Sequence, residues 1–272
     1  MKPQSNKAVM ERDGHPRHED VLECSGLSKS FGGIHAVRNM ALQVRPGLIT
    51  GLIGPNGAGK STLFNLISGV LRPDTGEVRL FGEEISGLRP HKIARKGMIR
   101  TFQLSREMAR LTVLENLMLA PQGQLGEHLA SLCFSAGRVR DEERRIEAQA
   151  WAVLDRIDLA QVRDEYAGNL SGGQKKLLEL GRALMIDPEI ILLDEPGAGV
   201  NPALMGLLSD MILRLQAEHG KTILIVEHDM DLIAKLCHRV VVMAEGRHLV
   251  EGSFDEVAAD KRVIEAYLGG VS

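Results

Sequence analysis

The sequence has 272 residues, of which 44% are hydrophobic, 25% charged and 3% aromatic. This much apolar material predicts a globular protein with a well-buried core, in one large domain or two unequal ones. A formal net charge of -3 gives no support to a nucleic-acid partner. No apolar run reaches the ~18 residues that a membrane-spanning helix needs, so any link with a membrane must come through a partner.

Residues 1–20 are polar and charged and lack an apolar segment. They predict a flexible tail rather than a signal peptide. The three cysteines, Cys24, Cys133 and Cys237, lie far apart without paired spacing. This spacing favours free thiols in a reducing compartment, the cytoplasm, over disulfides or a metal site.

Short β-like runs come next along the chain. VLECSGLSKSF and AVRNMALQV lie within residues 21–50, and GEVRLFGEEI occupies residues 76–85. These runs predict an antiparallel β-region.

Between these runs, residues 48–62 read LITGLIGPNGAGKST, which satisfies the pattern of a phosphate-binding P-loop. LITGLI is an apolar run typical of a buried parallel strand. STLFNLISGVL has helical spacing and is expected to place four apolar residues on one face: Leu63, Leu66, Ile67 and Val70. The alternative is an ordinary glycine turn before a helix, and the flanking strand and helix disfavour it.

Each part of this loop has a chemical role. Gly54, Gly57 and Gly59 let the backbone of the loop, which also contains Pro55, Asn56 and Ala58, curl its N–H groups around phosphates. Lys60 adds a positive charge for the outer phosphates. Ser61 can offer its hydroxyl to Mg²⁺, with Thr62 beside it on the first helical turn.

Helical spacing dominates the next interval, in HKIARKG, LTVLENLMLA and DEERRIEAQAWAVLDRIDL. We expect an inserted helical subdomain at about 86–178, with a long loop or short helices at 121–140. The charge run DEERR predicts a solvated helix face. Gln103 follows a short β-like stretch in IRTFQLS and could bind Mg²⁺ or orient water, although an exposed polar loop residue would look the same.

Residues 170–184 read LSGGQKKLLELGRAL, a serine and two glycines leading into a helix with an apolar stripe. A serine cap and small residues at a helix start present N–H groups to an anion. The segment therefore resembles half of a phosphate site without a lysine.

Two apolar strands then end in polar residues. IILLDEP at 190–196 ends in Asp194, suited to Mg²⁺ through water, and Glu195, a candidate general base. A solvated acidic turn is the alternative. TILIVEHD at 222–229 should end at the same sheet edge, where His228 could reach a γ-phosphate or be merely structural.

The carboxyl end completes an α/β pattern. RVVVMAEGRHLVEG predicts a hairpin turning at Glu245-Gly246, followed by the helical DEVAADKRVIEAYLG.

Together these motifs resemble the nucleotide-binding subunit of an ABC transporter, from about Val21 onward. The P-loop at 54–61, glutamine at 103, LSGGQ at 170–174, IILLDE at 190–195 and histidine at 228 match that family's Walker A, Q-loop, signature, Walker B and switch in order. The resemblance implies an ATP-binding domain over 21–272 with the ABC ATPase fold: a P-loop NTPase core, an antiparallel β-subdomain and a helical subdomain. It also implies ATP and Mg²⁺ as ligands.

The resemblance assigns further residues. Phe31, in KSFGG, takes the place of the aromatic that stacks on adenine, although by its neighbours alone it would be a core residue. The signature residues would act in trans, on the ATP of a second subunit: Ser171, Gly172, Gly173 and Gln174. Asn201, in GAGVNP, replaces the family's usual Asp and leaves inter-subunit coupling there in doubt.

Finer likeness, in GMIRTFQ, LTVLENLMLA, EPGAGVNP, VEHDMDLI and VIEAYLGG, points to ATPases of branched-chain amino acid importers. It implies a second ATPase subunit, in a homodimer or heterodimer, membrane permease subunits, and indirectly a periplasmic solute-binding protein. The chain would then be peripheral at the cytoplasmic face of the inner membrane. The segment 103–112 would receive a permease coupling helix, with an apolar lining, or ordinary core, at Leu104, Met108 and Leu111.

Other functions stay open. ATPases for urea, short-chain amides and lipopolysaccharide export share some of these phrases, and a soluble assembly ATPase of iron–sulfur biogenesis is a further alternative. A nucleic-acid-associated ATPase is disfavoured by the acidic balance and the lack of sustained heptads. A plain P-loop kinase is disfavoured by LSGGQ.

Overall fold

A computed structural model describes residues 20–101, 108–121 and 136–268. Its strands are β1 Leu22–Phe31, β2 Ile34–Val44, β3 Ile49–Ile53, β4 Thr75–Leu80, β5 Glu83–Glu84, β6 Met98–Thr101, β7 Ile190–Asp194, β8 Thr222–Val226, β9 Arg239–Ala244 and β10 Arg247–Gly252. Its helices are α1 Lys60–Ile67, α2 Pro90–Ala94, α3 Val113–Met118, α4 Ala136–Arg156, α5 Gly172–Leu184, α6 Pro202–Ala217, α7 Met230–Leu236, α8 Phe254–Ala259 and α9 Lys261–Leu268.

The amino-terminal strands form a four-stranded antiparallel sheet in the order β2-β1-β4-β5. Its strands alternate between buried and exposed residues over much of their length, which is typical of a sheet with one face on the core. The antiparallel β-region predicted from the sequence is confirmed.

A six-stranded sheet in the order β10-β9-β3-β8-β7-β6 forms the centre of the molecule. Its strands are parallel except β10, which pairs antiparallel with β9. The carboxyl ends of β3, β7 and β8 therefore meet at one edge, where ligands bind in open α/β sheets. This edge carries Gly54, Glu195 and His228.

Two hydrophobic cores cover the two faces of this sheet. One contains Leu52 and Leu224 and packs against the four-stranded sheet and α1. The other contains Ile53 and Ile225 and packs against helices from α3 to α9. Every residue of β3 and β8 is buried, and burial on both faces explains why these strands are mostly apolar.

The helices predicted in HKIARKG, LTVLENLMLA and DEERRIEAQAWAVLDRIDL are confirmed by α2, α3 and α4. Strand β6 lies within the 86–178 interval but pairs with β7 in the central sheet, and α4 already begins within 121–140. The division of the chain into domains stays a prediction. Four of the five residues in the 141–145 charge run are exposed, as expected of a solvated helix face.

One detail of the prediction for α1 is wrong, the placement of Val70 on its apolar face. Leu63, Leu66 and Ile67 are buried, but Val70 is 48% exposed. The helix ends at Ile67, and Gly69 turns the chain with a φ of 73°, so Val70 no longer follows the helical period.

The predicted hairpin at Glu245-Gly246 is confirmed. Both residues have positive φ, 48° and 81°, as a tight two-residue turn between twisted strands requires. Cys24 and Cys237 are free thiols, and burial raises the pKa of Cys237 to about 12. Cys133 and the predicted tail at 1–19 lie outside the described residues. No helix in the described part of the chain is long and apolar enough to cross a membrane.

Candidate functional site

The P-loop connects β3 to α1 at the carboxyl edge of the central sheet. Gly54, Gly57 and Gly59 all have positive φ, at 151°, 80° and 98°. For Gly54 and Gly59 the structure gives a second reason for glycine. A Cβ on Gly54 would lie 2.0 Å from the carbonyl oxygen of Met243, and a Cβ on Gly59 would lie 2.2 Å from that of Ala36.

These contacts add a second role to the expectation that the three glycines let the loop curl around phosphates. Gly54 and Gly59 are also needed because the loop packs tightly against neighbouring backbone. Gly57 has open space around its Cα, so it fits the original expectation.

Lys60 begins α1 and is 6% exposed. Its ammonium donates hydrogen bonds to the carbonyl oxygens of Gly54, at 2.6 Å, and Pro55, at 3.0 Å. Burial lowers the pKa of Lys60, and the nearby Glu195 carboxylate opposes that shift. The lysine is thus folded back on its own loop, at the mouth of the site.

A cavity of about 540 Å³ opens beside the loop. The P-loop residues that line it are Asn56, Gly57, Ala58, Gly59, Lys60, Ser61 and Thr62. Glu195 and His228 line it as well, together with Ile34 and neighbouring residues of β2 and with the Glu245-Gly246 turn. The structure therefore brings three predicted motifs to one cavity.

Glu195 and His228 are in direct contact. Nε2 of His228 lies 2.8 Å from Oε1 of Glu195, and both side chains are about half exposed. Glu195 has a φ of 49°, which is uncommon for a residue with a side chain and often marks a functional site.

Asp194 makes a contact that the sequence did not predict. Its Oδ2 accepts a hydrogen bond of 2.6 Å from Nη2 of Arg100, and the two side chains are 8% and 1% exposed. Nη1 of Arg100 also donates to Asn65 of α1 and to Ser68, which caps the carboxyl end of that helix. Arg100 therefore joins β6, β7 and the P-loop helix.

In the sequence, Arg100 could have been noticed as a single charged residue inside the largely apolar stretch MIRTF. A buried arginine needs an acidic or polar partner, and Asp194 lies at the equivalent end of the neighbouring strand. Asp194 itself is not among the described residues that line the cavity.

Phe31 ends β1 and is 46% exposed, so the alternative that it is a core residue is wrong. The Lys29 ammonium lies 5.7 Å from the centre of its ring. Its strand partner Ile34, which is 72% exposed, lines the cavity. The β1–β2 turn thus offers two exposed apolar side chains, of which Ile34 lines the cavity and Phe31 is not among the described lining residues.

The signature segment lies apart from this cavity. Ser171 caps α5, accepting a hydrogen bond from the Gln174 amide, while the Gln174 side chain accepts one from the Ser171 amide. Gly172 is exposed with open space around it, whereas Gly173 is buried against Leu204 of α6. None of the described residues that line the cavity comes from 170–174.

Five further predicted positions remain. Asn201 caps α6, its side chain accepting from the Leu204 amide at 2.9 Å. Met108 is 46% exposed and Leu111 is partly buried. Gln103 and Leu104 lie outside the described residues.

Three features now stand together: a P-loop at the end of a central parallel strand, a carboxylate–histidine pair at its cavity, and a separate capped LSGGQ helix. They define the class of P-loop ATPases built as ATP-binding cassettes. A family profile described as "ABC transporter" matches residues 37–198. The chain belongs to that family. A second profile, described as "Branched-chain amino acid ATP-binding cassette transporter", matches residues 247–271.

Curated relatives agree with the family. The chain is 41% identical over 249 residues to the high-affinity branched-chain amino acid transport ATP-binding protein BraF of Pseudomonas aeruginosa, an alignment that covers 92% of this chain and 98% of that protein. It is also 41% identical to a probable branched-chain amino acid transport ATP-binding protein of Archaeoglobus fulgidus, covering 92% and 95%.

A solved structure of a nucleotide-free ATP-binding cassette from an ABC transporter is similar in fold. The TM-score is 0.78 at 36% identity, covering 91% of this chain and 98% of that one. An ADP-bound cassette matches with the same TM-score and identity. The ABC ATPase fold expected from the sequence is therefore confirmed.

Proposed function

We propose that this chain binds and hydrolyses ATP with Mg²⁺ and drives an importer of branched-chain amino acids or a related small amino acid or amide. The observation that carries the catalytic part is the 2.8 Å contact between His228 and Glu195 across the P-loop cavity. The observation that carries the transport part is the similarity to branched-chain amino acid transport proteins over 92% of the chain.

The P-loop holds the phosphates. Residues 54–62 supply backbone N–H groups at the start of a helix, where the helix dipole also favours an anion. When ATP binds, Lys60 exchanges its two loop carbonyls for the outer phosphates. Phe31 stacks on adenine, and Ile34 adds apolar surface from the same turn.

The residues also fit Mg²⁺, which prefers oxygen ligands and is held mainly by one or two protein groups plus phosphates. Ser61 offers a hydroxyl from the exposed first turn of α1. Asp194 offers its carboxylate from the end of β7, through water, and Gln103 is the third candidate. Bound Mg²⁺ would neutralise charge on the phosphates.

Glu195 is the general base. Its carboxylate takes a proton from the attacking water, while His228 holds that carboxylate in place and faces the γ-phosphate. A carboxylate left without this partner would sample several rotamers, so the histidine contributes orientation as well as charge.

The second ATP contact comes from another subunit. Ser171, Gly172 and Gly173 are not among the described residues that line the cavity of their own chain, and we infer that they complete the site of a partner, with Gln174 fixing the cap. The functional unit is then a homodimer or heterodimer around two ATP molecules. Permease subunits bind it at the cytoplasmic face of the membrane, and a periplasmic solute-binding protein delivers the solute to them.

The decisive variant is Glu195→Gln. It keeps the shape and one hydrogen-bonding oxygen but removes the base, so we expect ATP hydrolysis to fall by about 100- to 10,000-fold. ATP affinity should change less than about threefold, because the P-loop is untouched. Phosphate release and binding of a fluorescent ATP analogue to purified protein measure the two quantities.

Glu218→Gln, at the exposed carboxyl end of α6, is the matched control and should hydrolyse ATP at the normal rate. Normal turnover in Glu195→Gln would refute the assignment of the base. The transport assignment has its own readout, uptake of labelled leucine by cells that lack the endogenous gene. Uptake should return with the wild-type gene and not with Glu195→Gln, and failure of the wild-type gene to restore it would contradict a branched-chain solute.

A further inference from the structure

The turn that carries the base has an unusual backbone. Glu195 follows β7 in a left-handed conformation, with a φ of 49°. Side chains disfavour this region, so surrounding contacts must hold the turn. Two charged side chains, from two different elements, contact residues 195–197.

Lys176 holds one side of the turn. It lies on α5 and is half buried, and its ammonium donates to the carbonyl oxygen of Glu195 at 3.1 Å and to that of Pro196 at 2.9 Å. Burial lowers the pKa of Lys176, while the nearby carboxylates of Glu227, Glu179 and Glu195 oppose that shift. The cation is therefore desolvated beside the turn and balanced by acidic groups.

Glu227 binds the end of the same turn, at Gly197. It is 4% exposed, and its Oε1 accepts a hydrogen bond of 2.6 Å from the amide of Gly197. Its Oε2 accepts from the amide of the next residue, His228, at 2.9 Å. One buried carboxylate thus bonds the backbone after the base and the backbone of the histidine that contacts the base.

Gly197 fits this arrangement sterically. A Cβ at that position would lie 2.8 Å from Oε1 of Glu227 and 2.9 Å from Met205. Glycine therefore lets the carboxylate approach the amide closely. Hydrogen bonds with a charged partner are about twice as strong as neutral ones, so these contacts can hold a strained turn.

We propose that Lys176 and Glu227 are positioning residues that fix the Glu195–Gly197 turn, Lys176 through its carbonyls and Glu227 through the Gly197 amide, and so aim the base carboxylate. Lys176 lies five residues after Ser171 on the same helix. Movement of the signature helix therefore moves the carbonyls on which the base depends. This inference rests on the proposed role of the signature segment at the ATP of a partner subunit. Contact of that segment with the partner's ATP would then change the position of Glu195 in its own chain.

The test compares the variants Lys176→Met and Glu227→Gln with wild type. The first removes the donor to both carbonyls, and the second leaves one oxygen to serve two amides. Because misplacing a catalytic group by about 1 Å can cost about 100-fold in rate, we expect kcat to fall by about 10- to 100-fold while KM for ATP changes less than about threefold. Lys176→Arg keeps a cation with several donors and should recover part of the lost rate.

Lys221→Met is the matched control. Lys221 is also a buried lysine, 7% exposed, and its ammonium bonds Asp187 at 2.8 Å, away from the turn. Its replacement should lower thermal stability as much as Lys176→Met does and leave kcat unchanged. Equal losses of kcat in both variants, or a kcat within twofold of wild type in Lys176→Met, would overturn the proposal.

A second readout uses the protein without nucleotide. The amide signals of Gly197 and His228 in a ¹⁵N–¹H spectrum should shift in Lys176→Met and Glu227→Gln and stay in place in Lys221→Met. Shifted signals in a protein whose wild type does not hydrolyse ATP would refute the proposed function and leave the positioning contacts standing. Unshifted signals in both variants would refute the positioning role itself.

Discussion

The P-loop and the signature segment are both glycine-containing helix starts, but they differ in their backbone conformation and surroundings. The P-loop places glycines directly before α1, and the signature segment places Gly172 and Gly173 in the first turn of α5. The P-loop follows a buried strand, uses left-handed glycines and opens onto a cavity with Lys60 beside it. The signature segment follows a short 3₁₀ turn at Ala167–Asn169, caps its own helix with Ser171 and Gln174, and leaves Gly172 exposed.

The difference lies in which groups remain for a ligand. The P-loop has a curled backbone and the Lys60 cation, and Glu195 and His228 line the same cavity. At the signature helix the cap already uses the Ser171 and Gln174 amides, and the first-turn amides of Gly172 and Gly173 have no carbonyl partner within the helix. A helix start of this kind can complete a site, but it lacks the enclosure and a lysine in the P-loop position to form one alone.

The largest effect should come from Ser171→Arg. A long cationic side chain at the exposed helix start blocks close approach of a second subunit, so we expect hydrolysis to fall by at least about 100-fold, with ATP binding by the monomer preserved. Ser253→Arg is the control, because Ser253 caps α8 with the same reciprocal bonds, made with Glu256. An unchanged rate in Ser171→Arg would show that α5 only packs.

Lys60→Met, unlike Ser171→Arg, should weaken the binding of ATP itself. Losing the cation weakens ATP binding by about 10- to 100-fold, because hydrogen bonds to charged groups are the stronger ones. Titration with a fluorescent ATP analogue measures this change. The two helix starts would not differ as described if Lys60→Met kept full affinity, or if Ser171→Arg lost affinity for ATP as a monomer.

The smallest effects concern folding stability. Gly54→Ala combines a φ of 151° with a Cβ 2.0 Å from a backbone oxygen, and should lower the free energy of unfolding by about 2–4 kcal/mol. Gly172→Ala meets open space at the start of a helix and should change it by less than about 0.5 kcal/mol. Urea denaturation compares them, and equal losses would contradict the different packing of the two segments.

Much of this site could be predicted because strong local patterns specify it. A buried strand followed by a glycine loop and a lysine defines a phosphate site within one short segment. The apolar strands ahead of Glu195 and His228 placed both residues at a sheet edge, and the 2.8 Å contact agrees with that placement. Val70 could not be placed correctly, because a left-handed Gly69 ended the period at a point that apolar spacing does not reveal.

Arg100, Lys176 and Glu227 were missed for a different reason. Each acts through a partner that is distant in sequence, so its meaning depends on which strands and helices become neighbours. Arg100 reaches Asp194 only because β6 pairs with β7, and Lys176 reaches Glu195 only because α5 packs beside the end of β7.

By itself, the sequence determined the elements, the P-loop chemistry and the order of motifs, since these depend on residues close together in the chain. Tertiary structure alone decided which charges pair, that Asp194 is held by a buried arginine, and that the described residues lining the P-loop cavity include none from the signature segment. Those features depend on contacts across the folded sheet, where burial makes every charge require a partner and close packing determines which partner it finds.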